Sequence, residues 1–263
     1  MARPRVLITG ASAGIGAEFA RLFAANGHDL ILVARREDKL NALRDELAGT
    51  GADVVVIAKD LALKTSAKSL HQDVKGKSLA VDVLVNNGGV AYGGAFTAMD
   101  NDAVQRMVLL NAATLATLTR LFVTDMVARG SGRILNVSSL SAFQAVPRMS
   151  LYAATKAFVL SFTEGLAEEL RGTGVTVTAL CPGFTDTEMV SDIARDGPFT
   201  EIPAFMISDV KAVVKEGYDA CIRGEVVRVP GLANQISALW SQTQPRWLVR
   251  TLGGMIGRQF LKP

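Results

Sequence analysis

Cysteine is almost missing from this chain: among 263 residues only Cys181 and Cys221 carry a thiol. Two cysteines cannot build a disulfide framework or a zinc site. Both stand in apolar surroundings, TALCPGF and YDACIRG, which predicts buried, inert thiols. Histidine is equally scarce. His28 falls in a helix-to-strand connection and His71 in a polar helix, neither with a ligand partner at metal spacing, so no metal site is expected. Charge of one sign is also lacking: the net +3 is spread over interspersed lysines and arginines, which leaves no case for a nucleic-acid partner. The apolar runs read as strand-length and interrupted, so no transmembrane segment is expected. The opening MARPRVLITG runs directly into a strand without a signal-like apolar stretch, and a reducing, cytoplasmic location is the expectation that follows.

Apolar residues are abundant at 49%, against 20% charged, enough for a large core and unlike a disordered chain. The length suits one α/β domain. Short β-branched and Leu-rich runs recur at Arg5–Thr9, Asp29–Ala34, Asp53–Ala58, Val81–Asn86, Arg133–Ser138, Val175–Cys181 and Val226–Pro230. Helical spacing separates them, clearest at Gly14–Asn26, Arg36–Ala48, Asp100–Ala128 and Leu151–Gly172. Strand and helix in alternation predict a doubly wound, Rossmann-type parallel sheet in a three-layer α/β/α single domain over 1–263. Residues 182–208 read as a substrate lid carrying Phe184, Met189, Ile193, Phe199, Ile202, Phe205 and Met206, or else as an extra helix pair. The extension 231–263, with Trp240, Trp247, Arg246, Arg250, Arg258 and Lys262, could cap the substrate pocket, pack between subunits or rest on lipid.

The first strand is followed by Thr9-Gly10-Ala11-Ser12-Ala13-Gly14-Ile15-Gly16 and then a helix. Glycines at a strand-to-helix turn let the backbone approach a pyrophosphate, and the helix N-terminus offers free N–H groups to it. After the second strand come Arg35 and Arg36 in place of an acidic residue. A carboxylate there would hold a ribose 2′-hydroxyl and repel a 2′-phosphate, whereas guanidinium groups bind the phosphate, so NADP(H) is expected. The alternative is that both arginines are solvated residues at the start of an amphipathic helix, a reading that suits Arg36 in particular.

Tyr152 and Lys156 lie four apart and share one face of a helix. A nearby ammonium favours tyrosinate and lowers the phenol pKa, which makes Tyr152 an acid/base candidate. Ser139 closes the strand Arg133–Ser138, at the end where a parallel sheet opens on its ligand crevice, and can bond the same oxygen as Tyr152.

These features in order, joined by Asp60, the stretch Asn86-Asn87-Gly88-Gly89, Asn111 and Pro182-Gly183, resemble the short-chain dehydrogenase/reductase family in its classical form over some 190 residues. The resemblance implies that Ser139 polarises a carbonyl, Tyr152 donates the proton, Lys156 holds the nicotinamide ribose and depresses the tyrosine pKa, and Asn111 holds a water linking Lys156 to solvent. It implies cofactor contacts from Gly10, Ser12, Gly14, Ile15, Gly16, Leu61, Pro182, Gly183 and Thr185. Asp60 would meet the adenine, Asn87 and Gly88 the adenosine ribose, and Thr187 the carboxamide or phosphates. Gly88 replaces the family's usual alanine. The expected activity is hydride transfer between NADP(H) and a small-molecule carbonyl or alcohol, lipophilic by the character of the lid. Alternatives are a regulatory or scaffold protein that binds NADP(H), and a nicotinamide-dependent epimerase or dehydratase. The small and apolar faces of the two long helices, with the resemblance, imply a homodimer or homotetramer.

Overall fold

The computed structural model describes residues 3–190, 203 and 206–260, with side chains through residue 253. Its spine is one seven-stranded sheet in the order β3-β2-β1-β4-β5-β6-β7. The strands are β1 Arg5–Thr9, β2 Asp29–Ala34, β3 Val54–Ala58, β4 Val83–Asn86, β5 Gly132–Val137, β6 Val175–Leu180 and β7 Val227–Arg228. Every pairing among them is parallel. Parallel strands buried on both faces read as unbroken apolar runs, and β1 and β2 supply RVLIT and DLILVA.

The helices are α1 Gly14–Ala25, α2 Glu37–Leu47, α3 Ser66–Gly76, α4 Asn101–Val108, α5 Leu115–Arg129, α6 Ser150–Glu169, α7 Val210–Arg223, α8 Leu232–Thr243 and α9 Arg246–Phe260. Alternate strand residues face opposite layers. Ile8, Leu32, Val85 and Leu135 pack with Phe19 and Phe23 of α1, Leu40 of α2 and Val214 of α7. Their neighbours Leu7, Ile31, Leu84 and Ile134 pack with Leu70 of α3 and Leu118, Phe122 and Met126 of α5. Removing one such ring, Phe19 for example, would cost roughly 3–5 kcal/mol.

On the α5 and α6 side of the sheet runs a buried polar ladder. The Asn86 side-chain amide donates to Asn136 Oδ1 at 2.9 Å and to Thr119 Oγ1 at 3.0 Å, and Asn136 Nδ2 donates to Thr163 Oγ1 at 3.0 Å. Strand order reverses between β1 and β4, and the crevice at their carboxyl ends is where such sheets bind ligands.

Three expectations change. The helix expected over Asp100–Ala128 is broken by a π-helical segment, Leu109–Thr114, between α4 and α5. The last strand is two residues long rather than five, since Pro230 has no N–H to continue the ladder. The run Asn101–Arg129 is also long and apolar enough, by length and composition, to cross a membrane; here its Leu118, Phe122 and Met126 are spent on the sheet. Of the expected lid, Ile193, Phe199, Ile202 and Phe205 lie outside the described residues. Its two ends are tied together: Thr185 bridges to Ser208, and the Ser208 N–H donates to Phe184 O at 2.8 Å.

Candidate active site

The glycine turn is held open by its neighbours. Thr9 Oγ1 accepts from the backbone N–H groups of Asn87 and Gly88 at 3.0 and 2.9 Å, and donates to Val85 O. In return Asn87 Nδ2 donates to Thr9 O and Gly10 O at 3.0 and 3.2 Å. These bonds stitch the ends of β1 and β4. A Cβ on Gly16 would lie on Gly10 O and 2.5 Å from Asn87 Nδ2, so only glycine lets α1 start this close to the turn. Gly10 itself sits at φ +68°, a conformation that other residues rarely adopt. Asp100 and Asp209 cap α4 and α7 with their carboxylates, whereas the start of α1 has no side-chain cap. Its free N–H groups face a cleft of about 490 Å³ and fit an anionic pyrophosphate.

Gly10, Ser12, Gly14, Ile15, Arg35, Arg36, Asp60, Leu61, Asn87, Gly88 and Thr187 line that cleft. Arg36 is already engaged: Nη2 donates to Ser12 Oγ at 3.2 Å and pairs with Glu188 at 3.0 Å. Arg35 is exposed and pairs with no described carboxylate within salt-bridge distance. Asp60 accepts from Ala62 N–H at 2.9 Å and from Arg106 at 2.9 and 3.0 Å. Burial alone would raise its carboxyl pKa, but the Ala62 and Arg106 bonds outweigh it and hold the group below the usual range. Pro182, Gly183 and Thr185 do not line this cleft. Pro182 O accepts from Leu140 N–H, Gly183 abuts Asn234, and the buried Thr185 hydroxyl donates to Gly183 O.

Farther along the crevice, Ser139 caps the short helix Leu140–Phe143, its Oγ accepting from Ser141 N–H at 3.1 Å. The Ser139 side chain stands near enough to the buried Tyr152 phenol to favour its ionised form. Lys156 is buried 5.7 Å from the Tyr152 ring centre and donates to Val137 O at 2.8 Å. The expected depression of the phenol pKa is not what this geometry produces. Burial pushes Tyr152 up to about 12, with Ser139 opposing it, and burial lowers Lys156 to about 8. The ammonium has its bond at the Val137 carbonyl.

Asn111 sits in the π-helical segment, whose wider turn is a common device at functional sites. Its amide donates to Val90 O at 2.8 Å and to Thr155 Oγ1 at 3.2 Å, and its Oδ1 accepts from Val90 N–H at 2.9 Å. Asn111 thus fixes the loop after β4 to α6. A Cβ on Gly89 would lie 3.2 Å from Asn111 Oδ1 and 3.8 Å from Lys156 Nζ, so the cleft wall runs straight into the Tyr152–Lys156 group.

Sequence reasoning overlooked Thr9, Arg106, Thr155 and Glu188. Thr9 opens the glycine motif and could have been suspected; Arg106 and Glu188 act through contacts 46 and 152 residues away, for which no local pattern exists.

An anion-ready cleft thus leads to a Ser–Tyr–Lys group. The family model described as short chain dehydrogenase matches residues 4–197. The chain belongs to the short-chain dehydrogenase/reductase family. It is 36% identical over 185 residues to a short chain dehydrogenase of Pseudocercospora fijiensis, the match covering 70% of this chain and 60% of that one. A short-chain dehydrogenase from Sphingobium yanoikuyae in complex with NADPH superposes with a TM-score of 0.81 at 35% identity, over 90% of this chain and 92% of the other. A bulky-bulky ketone specific alcohol dehydrogenase from Comamonas testosteroni gives 0.77 at 29% identity, over 92% and 95%.

Proposed function

We propose that this chain interconverts a lipophilic ketone or aldehyde and its alcohol with NADP(H). The observation that carries the reading is the grouping of Ser139, Tyr152 and Lys156 at the end of a cleft whose wall beyond β2 carries Arg35 and Arg36, with no carboxylate at Val33 or Ala34. The nicotinamide would supply or accept the hydride. In reduction, Tyr152 and Ser139 hydrogen-bond the substrate oxygen and so aim the carbonyl. With its phenol neutral across the working range, Tyr152 holds the proton that the oxygen takes up. Lys156, its ammonium anchored on the Val137 carbonyl, would hold the nicotinamide ribose, and Asn111 keeps the loop and helix in register around it.

Support for NADP(H) comes from the two arginines and from the NADPH complex of the Sphingobium relative. A lipophilic substrate is supported by Met189 and Met206, apolar and exposed at the two ends of 182–208, the segment proposed as the lid. Self-association is proposed through α5 and α6, where Val127 and Phe158 are exposed and Phe158 stacks on Phe162 at 5.8 Å.

The test is NADPH absorbance against a panel of ketones and aldehydes, repeated with Tyr152→Phe. The variant should lose at least about a hundredfold in turnover and keep its cofactor affinity. Turnover within a few-fold of the parent would overturn the assignment, as would a parent that oxidises no NADPH with any carbonyl compound.

A further inference from the structure

The last acidic residue of the chain is Glu225; the remaining segment to Pro263 holds Arg228, Arg246, Arg250, Arg258 and Lys262 and both tryptophans. Helix α8 buries Ala238 and Ser241 and turns Leu232, Ile236, Leu239 and Trp240 outward. The spacing i, i+4, i+7 and i+8 places these four on one face. Leu232 is 73% exposed, Ile236 61% and Leu239 63%. Trp247, 63% exposed, continues the apolar display into α9, between the exposed Arg246 and Arg250. Glu216 touches the start of α8 through Gly231 N–H, but its charge is matched by Arg228 at 2.7 Å.

A row of aliphatic side chains with two indoles, flanked by cations and free of acid, has the chemistry of a helix that lies in a lipid headgroup layer. We infer that α8 and the start of α9 dock this protein on an anionic phospholipid surface, with Leu232, Ile236, Leu239, Trp240 and Trp247 entering the acyl boundary and Arg246 and Arg250 meeting the headgroups. Charge complementarity selects this occupant: every ionisable side chain beyond Arg228 is cationic. The opposite face of the two helices is already used. Ser241 reaches Gln144, Asn234 abuts Gly183, and a Cβ on Gly253 would lie 3.2 Å from Ala145 O. The two helices therefore rest on the segment that follows Ser139 and turn the proposed face away from it. It is separate from α5 and α6, and the inference stands apart from the catalytic reading, because docking is measured without substrate.

Trp240 and Trp247 are the chain's only tryptophans, so intrinsic fluorescence reports on this segment alone. The full chain is titrated with phosphatidylcholine vesicles containing about 30% phosphatidylglycerol, and with phosphatidylcholine alone. Emission should shift to the blue and be quenched by lipids brominated in the acyl chain, and the protein should co-sediment, with the anionic vesicles only. Binding should fall about fivefold for each of Arg246→Gln and Arg250→Gln and fall further as salt shortens the screening length. The exposed pair Ile236→Ser with Leu239→Ser should abolish it while the circular dichroism stays that of the parent.

Unchanged emission and no co-sedimentation with the anionic vesicles would overturn the proposal. So would binding of equal strength to neutral vesicles, or tryptophans shielded from iodide in the dilute monomer, which would mean that the chain covers its own face. A dimer that the Ile236→Ser, Leu239→Ser pair dissociates would assign the face to a second copy instead, and would equally overturn it.

Discussion

Replacing Arg35 by alanine should weaken NADPH and leave NADH almost unchanged. Arg35 stands at the end of β2, exposed and without a described carboxylate partner, while Arg36 is shared between Ser12 and Glu188. A 2′-phosphate bound here would meet Arg35, which makes no ion pair with a described carboxylate but lies within electrostatic reach of Asp60, and Arg36, which must exchange a partner. A charge-assisted contact contributes roughly 1.5–3 kcal/mol, and screening at an exposed site favours the low end. The expected loss is therefore about tenfold in NADPH affinity. Glu188→Gln should act in the opposite sense. Its pair with Arg36 joins side chains that are 44% and 59% exposed, worth at most about 1 kcal/mol, so releasing Arg36 should tighten NADPH by up to about fivefold. Both changes should shrink with added salt. Paired calorimetric titrations of NADPH and NADH on parent and variants decide the matter. If Arg35→Ala weakens both cofactors equally, if the parent prefers NADH, or if Glu188→Gln weakens NADPH, the phosphate is not read by these groups as described.

Thr9→Val keeps the shape of the side chain but removes the acceptor for the Asn87 and Gly88 N–H groups. It should lower stability by roughly 1–3 kcal/mol, read in denaturant titrations, and weaken dinucleotide binding along with it; an unchanged midpoint would show that the stitch between β1 and β4 is dispensable. Lys156→Met tests the buried ammonium through its pH dependence. With a folded pKa near 8 against 10.5, the lysine bears its full desolvation cost below pH 8 and sheds it as pH rises toward 10.5. Any stability advantage of the variant should therefore shrink by about 2 kcal/mol between pH 7 and 9.5; a pH-independent difference would refute the low pKa. Phe158→Glu, placed on the exposed face of α6, should lower the sedimenting mass if that helix pairs subunits, and an unchanged mass would assign the interface elsewhere.

The central strands were legible because burial on both faces forces unbroken runs such as Leu30–Ala34, and the crossover rule then leaves few topologies. The glycine turn, Ser139, Tyr152 and Lys156 were legible because their order and spacing are local. Boundaries shifted where tertiary contacts decide: β4 starts at Val83 rather than Val81, and the π segment around Asn111 exists to meet Val90 and Thr155, which no periodicity announces. The protonation of the site was misread for a related reason. Four-residue spacing places Lys156 near Tyr152, but only the fold shows that its ammonium is bonded to Val137 O and that both groups are deeply sheltered. The C-terminal helices had mixed signals, with Gly231 and Pro245 punctuating a segment that carries no acidic residue.

The ladder of Asn86, Asn136 and Thr163 works as a gauge for the strands. A slip of one residue between β4 and β5 would set each asparagine amide among aliphatic side chains and turn every neighbour to the wrong layer. Asn87 and Gly88 follow one end of that gauge, and Ser138 and Ser139 closely follow the other, so the cofactor turn and the hydroxyl pair inherit their relative height from three buried polar side chains. Among the described residues, 184–190 and 231–253 make none of these bonds. Substitutions confined to those stretches are therefore expected to leave the relative height of the glycine turn and the Ser139–Tyr152 pair unchanged.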